Sequence, residues 1–202
     1  MRIALFSFLL IFSAFAGAQT EHLIEAPASP CEVDLSAAPL TLAFIEAKGV
    51  DLSQIRFRFQ NIGIDDFEIS MWRGAEKSAI LHLSREHWEK RELFRSSQIF
   101  VSDEGKGLGS MLYLVGARLL HEYRGARLRS EMSRSEQAIN AWHRFLRAGI
   151  AEEVDVFFLG QTIERYAVFR PDRVVEASAQ VYAFFLARLE NPSALDLLRR
   201  TP

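Results

Sequence analysis

Cysteine is almost missing from this 202-residue chain: Cys31 stands alone, so no disulfide can close within one molecule. Long apolar runs are missing too, except at the very start, which leaves no second candidate for a membrane-spanning helix. Nor is charge of one sign in excess. The chain has 24 Lys and Arg against 26 Asp and Glu, a balance that gives no global field to draw nucleic acid or an anionic lipid surface. Three chemical signatures are absent as well: the GxxxxGK(S/T) phosphate loop, the H-E-x-x-H zinc pair and the G-x-S-x-G nucleophile elbow. The histidines, His22, His82, His87, His121 and His143, have no metal-ligand spacing, and no metal site is expected.

What is present begins with MRIALFSFLLIFSAFAGA. One charge at Arg2, an apolar stretch from Ile3 to Phe15, and small residues at Ala16 and Ala18 have the three-part layout of a secretory signal peptide. The expectation is a leader at 1–18, cleavage before Gln19, and a periplasmic or secreted protein with no membrane anchor after cleavage. The setting of Cys31, ASPCEV, has no leucine three positions before it, which argues against lipid attachment. Residues 19–40, rich in Ala, Pro, Ser and Glu, read as a flexible lead-in, and 41–202 as one domain.

Within that domain a short helix is expected at 40–47, ended by Gly49. Two stretches then alternate: Ile55, Phe57 and Phe59 in IRFRFQ, and Phe67, Ile69 and Met71 in DFEISMW, with NIGIDD between them as turn. SAILHLS and SQIFVS extend this to a four-strand antiparallel meander. After the stretch EGKGLGS, residues Leu108, Met111, Leu112, Val115, Leu119 and Leu120 recur at helical steps as far as Gly125. RLRSEMS follows as a strand with Leu128, Ser130 and Met132 on one face. A capping box from Ser133 to Glu136 opens a second helix with the stripe Ala138, Trp142, Phe145 and Leu146, closed by Gly149. VDVFFL and RYAVFR, joined by GQTIE, read as a hairpin, and 174–189 as a last helix. The order predicts an α+β fold: a mixed sheet with an antiparallel N-terminal meander, a parallel strand–helix–strand crossover at its centre, and flanking helices. The ends of the two parallel strands would face a common cleft.

EGKGLGS lies at the mouth of that crossover helix. A helix start offers unpaired N–H groups and a positive dipole end to phosphate oxygens, and glycines at 105, 107 and 109 let the main chain approach an anion closely. Lys106 adds charge. The segment from VSDEGKGLGS through AGIAEE resembles the acyl-CoA binding half of the GNAT-type N-acetyltransferase superfamily. Glu104 to Gly109 stand in the six places of that family's Q/R-x-x-G-x-G/A turn, and Phe145 with Gly149 and Ile150 in its aromatic-x-x-x-Gly-aliphatic signature.

The resemblance implies a GNAT-like fold and transfer of an acyl group from acetyl-CoA or another acyl-CoA to an amine. It implies a cofactor seat at Phe100, Val101, Gly105, Lys106, Gly107, Leu108, Gly109 and Ser110, with a backbone amide near Phe100 or Val101 to hold the oxyanion. Glu131, Glu68 or a water chain would serve as base. Arg129, Arg134 and Arg144 are candidates for the CoA 3′-phosphate; their alternative reading is a solvated basic face interleaved with Glu122, Glu131 and Glu136. Two positions depart from the pattern. Glu104 sets an acid where the family has Gln or Arg, and Phe145 stands where many members have a proton-donating tyrosine. The alternative reading is therefore a non-catalytic binding module or a secreted effector on the same scaffold.

Overall fold

Alternation along 55–60 is resolved as expected: Ile55, Phe57 and Phe59 are buried while Arg56, Arg58 and Gln60 are exposed. In the computed structural model the residues described are 40–86, 93–131, 135–158 and 161–200. The expected leader, the lead-in as far as residue 39 with His22 and Cys31, and His87, Met132, Ser133, Arg134 and Gly160 lie outside them.

Seven strands form one sheet in the order β1-β2-β3-β4-β5-β7-β6. β1 (Ile55–Gly63), β2 (Asp66–Arg73), β3 (Glu76–Arg85) and β4 (Leu93–Val101) are the antiparallel meander. β5 (Arg127–Arg129) runs parallel to β4, β7 (Gln161–Phe169) pairs antiparallel with β5, and β6 (Ala151–Phe158) pairs antiparallel with β7. This is the mixed α+β sheet that the sequence predicts, with α2 (Leu108–Arg124) as the crossover between β4 and β5.

Period-two alternation puts Phe57 opposite Met71 and Phe59 opposite Ile69, and these side chains face one core with Leu81, Val115, Trp142, Val174, Phe185 and Leu198. Each large apolar side chain so buried contributes about 1.5–3 kcal/mol over its exposed state. α2 lies across this face, and Gly116 sets the distance: a Cβ there would come 2.9 Å from Leu81 Cδ2. α1 (Leu42–Ala47), α3 (Glu136–Arg147), α4 (Pro171–Ala177), α5 (Ala179–Ala187) and α6 (Asp196–Arg200) complete the described helices. On the opposite sheet face Glu68, His82 and Gln98 stand in one cross-strand row. A smaller apolar cluster of Leu93, Tyr166 and Val168 lies apart from the main core.

Several boundaries differ from expectation for identifiable reasons. NIGIDD is mostly strand: only Ile64 and Asp65 turn, and Asp65 adopts φ 59°. Its buried carboxylate accepts from Arg85 at 3.0 Å and Arg124 at 3.1 Å, and these long-range partners hold the turn. α3 is capped by Ser135, whose hydroxyl accepts from the Ala138 N–H at 3.2 Å, not through a Ser133–Glu136 box. GQTIE likewise is largely strand, since Gln161 and Thr162 pair with Phe158 and Phe157. The helix expected at 174–189 is broken at Ser178, whose hydroxyl donates back to the Val174 carbonyl at 2.6 Å, a local bond that competes with helix continuation.

Candidate functional site

β4 and β5 pair only from Leu93 to Arg95 against Arg127 to Arg129, yet β4 continues to Val101. β5 ends at Arg129, and among the described residues 96–101 of β4 have no ladder on that side. The chain then turns through 102–107 and enters α2. Gly107 is the N-cap residue in the left-handed region at φ 85°, and no side chain caps the helix. The first intrahelical bond runs from the Met111 N–H to the Gly107 carbonyl at 3.0 Å, so the N–H groups of Leu108, Gly109 and Ser110 have no helical acceptor. Gly109 brings α2 close to β4: a Cβ on it would lie 3.3 Å from Val101 Cγ2. Gly107 is equally confined, with Leu40 Cδ1 at 3.0 Å and Phe44 Cε1 at 3.2 Å from the position of a Cβ.

A cleft of about 230 Å³ opens at this helix start. Phe100, Val101, Gly105, Gly107, Leu108, Gly109 and Ser110 all line it, so seven residues of the expected seat share one cavity wall. Lys106 does not line it; its ammonium lies 3.6 Å from Asp103 Oδ2. α3 forms the opposite wall through Gln137, Ala138, Ala141 and Arg144. Of the two described arginines considered for phosphate, Arg144 lines the cleft. Arg129 is instead locked at the end of β5, donating to Glu86 and to Glu164, and Arg134 is outside the described residues.

The electrostatics are divided. Arg144 is half-buried, and burial, with Arg147 nearby, holds its pKa below the usual arginine value. Among the described residues its one hydrogen bond is a long 3.5 Å contact to Ser110 Oγ, and no carboxylate pairs with it. Asp103 accepts from Arg73 at 2.5 Å, and that bond first, with the nearby charges of Arg73 and Lys106, holds its carboxyl below the usual range. Glu104 Oε2 accepts from Gln137 Nε2 at 3.0 Å, a bond that joins the turn to α3 across the cleft. Two carboxylates thus stand beside the candidate anion seat.

Residues outside the glycine motif complete the site. Tyr113, one turn into α2, is buried and lines the cleft; its ring centroid is 5.3 Å from that of Trp142 and 6.3 Å from that of Phe145. Its spacing of three from Ser110 is the signal that places it on the same helix face. Phe145 is 4% exposed and packs on Phe169 at 4.9 Å, within the aromatic core. Glu131 is partly exposed just beyond β5, and burial raises its pKa against the lowering effect of Arg95 and Arg129. Among the described residues no group of three His, Cys, Asp or Glu is gathered to hold a metal.

No family model and no curated protein sequence matches this chain. Among solved structures it is similar to an acetyltransferase of Bacillus subtilis in complex with CoA, at 14% identity over 52% of this chain and 74% of that one, with a TM-score of 0.36. It is similar to a cAMP-binding acyltransferase from Mycobacterium smegmatis at 19% identity and a TM-score of 0.35, covering 61% of this chain and only 41% of the other. A chimaera of the spermidine N-acetyltransferase SpeG from Vibrio cholerae and hSSAT aligns at 12% identity, covering 55% of this chain and 69% of that one, with a TM-score of 0.32.

Proposed function

We propose that this chain is a CoA-dependent acyltransferase of GNAT type that moves an acetyl or longer acyl group from acyl-CoA to an amine. The observation that carries the reading is the combination at one cleft of three unpaired N–H groups at the start of α2, the half-buried Arg144, and an unpaired strand edge leading away from them along β4. N–H groups and a guanidinium suit pyrophosphate oxygens. The outward-facing N–H and C=O groups of 96–101, which have no ladder on that side among the described residues, suit the amide-bearing arm of the same molecule, by the logic of strand addition to a sheet edge.

In this reading the main chain and Arg144 bind and orient the acyl donor so that its thioester carbonyl meets a backbone amide near Phe100 or Val101. That amide stabilises the developing oxyanion. Holding donor and acceptor together supplies much of the acceleration. The test is calorimetric titration of the mature protein with acetyl-CoA and longer acyl-CoA. Binding is expected, and Gly107→Glu is expected to abolish it; no heat at millimolar ligand sinks the reading.

A second reading, a binding module without catalysis, is favoured by the Glu104–Gln137 bond across the cleft and by Phe145 in place of a proton donor. It predicts CoA binding with no thiol released when acetyl-CoA is offered with a panel of primary amines and polyamines. Export belongs to the proposal as well: the protein recovered outside the cytoplasm is expected to begin at Gln19, and a product that keeps residues 1–18 would overturn that part.

A further inference from the structure

The sheet has two edges, and the chain treats them differently. On the outer side of β1 the main chain at 188–191 closes the edge: the Phe57 N–H donates to the Arg188 carbonyl at 3.0 Å, and the Glu190 N–H to the Phe57 carbonyl at 2.9 Å. Asn191 continues the row with its side chain, Oδ1 accepting from the Phe59 N–H at 3.2 Å and Nδ2 donating to the Phe59 carbonyl at 2.6 Å. β6, at the other end of the strand order, has no such cover. Among the described residues it pairs with β7 alone, and no main-chain bond reaches its outer side. An open edge of eight residues is a template for pairing with another chain.

The residues of β6 do little to guard that edge. AEEVDVFF holds no proline and no lysine, the residues that commonly blunt one. Of its three carboxylates, Glu152 is bonded to Arg127, and Asp155 to Arg165 at 2.6 and 3.2 Å, so two are paired within the molecule. Val154 and Val156 are half-buried against the small apolar cluster of Leu93, Tyr166 and Val168. Phe157, on the other face by the alternation of a strand, is 64% exposed. Beside it Ile163, the extra residue of a bulge in β7, is 62% exposed.

A second copy of the chain fits this edge, and charge selects its register. Opposite residues of an antiparallel pair point to the same face, so a two-fold axis relating two β6 strands passes at one residue. At Val154 the axis sets Glu153 against the partner's Asp155, and at Asp155 it sets that carboxylate against the partner's Asp155; like charges directly opposite are destabilising. At Val156 no like charges meet: Val156 faces the partner's Val156, and Asp155 faces the partner's Phe157. A shift to Phe157 leaves only 156–158 paired, against 154–158 at Val156. With the axis at Val156, Phe157 and the partner's Phe157 are diagonal neighbours at about 7–8 Å, within reach of aromatic side chains. We infer that this chain dimerises through the outer edge of β6, antiparallel about Val156, joining two sheets into one. The inference does not depend on the acyl donor.

The experiment is sedimentation equilibrium on the mature protein from about 0.1 to 100 μM, where a dimer is expected. Phe157→Glu sets a second carboxylate against the partner's Asp155 and, counted twice by symmetry, is expected to weaken the dimer about 100-fold. Phe157→Lys meets the same carboxylate with a cation and is expected to stay within about 10-fold of wild type. Phe157 is exposed, so both variants are expected to keep the wild-type circular dichroism spectrum. In a Cys31→Ser background, Val156→Cys is expected to cross-link on mild oxidation, since Cα atoms at the axis are about 4.5–5.5 Å apart. Glu153→Cys, about 20 Å from its copy, is expected not to. A monomer throughout the concentration range overturns the dimer and leaves the edge to an extended segment of another protein. A dimer that Phe157→Glu leaves intact overturns its place at β6. Equal loss in Phe157→Lys, or cross-linking through Glu153→Cys in preference to Val156→Cys, overturns the register.

Discussion

Glu104→Gln is the substitution that the charge distribution makes most informative. Gln can still bond to Gln137, so the link across the cleft survives while the negative charge is removed. Glu104 is exposed, so water screens it. At about 7 Å and a dielectric near 80, one unit charge acts on another with about 0.6 kcal/mol, or about 1.2 kcal/mol for a doubly charged pyrophosphate. That corresponds to about an eightfold gain in CoA affinity at low salt. At physiological ionic strength the Debye length of about 8 Å cuts the effect to about 0.5 kcal/mol, or about twofold. Calorimetry on wild type and variant at two salt concentrations reads both numbers, and pantetheine, which lacks the phosphates, is the control. Equal affinity at low salt, or a gain of the same size with pantetheine, would refute the placement of a pyrophosphate beside Glu104.

Arg144→Ala should weaken CoA binding about 10- to 100-fold, the scale of a charged hydrogen bond, and flatten its salt dependence; calorimetry at the same salt concentrations checks it. Gly107→Ala forces a Cβ into the left-handed region at φ 85° and against Leu40 and Phe44, and should cost about 1–3 kcal/mol in urea unfolding. Gly116→Leu overpacks against Leu81 and should cost at least about 1–3 kcal/mol in the same assay. Asp103 has a folded pKa below its ordinary 3.8, so it binds fewer protons folded than unfolded. Its contribution to stability is present above pH 3.8 and is lost as pH falls through the folded value, and Asp103→Asn should therefore lose stability at pH 7 and progressively less as pH falls below 3.8 in thermal melts.

The sheet and the glycine turn at the head of α2 were legible in the sequence because each depends on local pattern. Alternation at Ile55, Phe57 and Phe59 announces a strand with one buried face, and glycines at 107 and 125 mark both ends of α2 through their positive φ. What the sequence leaves hidden depends on partners far along the chain. Arg129 looks as free as Arg144 until folding brings Glu86, 43 positions before it, and Glu164, 35 after it, to its guanidinium. Burial of Arg144 in the wall opposite the glycines is likewise a product of α3 packing on α2. The break at Ser178 escaped because the apolar period runs through it, and so do the main-chain bonds from the Ser178 N–H to the Val174 carbonyl and from the Tyr182 N–H to the Ser178 carbonyl; the added bond from its hydroxyl is of the kind that bends a helix.

The turn itself shows why Lys106, set among glycines, is not in the cleft. Asp103 lies three residues before it and faces Arg73 from β2, so Lys106 and Arg73 share one carboxylate. That arrangement cancels Asp103 but consumes the lysine. Glu104 meets only the neutral amide of Gln137 among the described residues, and Arg144 only a serine hydroxyl. One carboxylate and one guanidinium therefore face each other across the seat with neither neutralised. A dianion placed there gains from Arg144 and loses to Glu104. If the proposed acyl donor binds here, the difference between the two, more than the number of glycines, sets how tightly its phosphates are held.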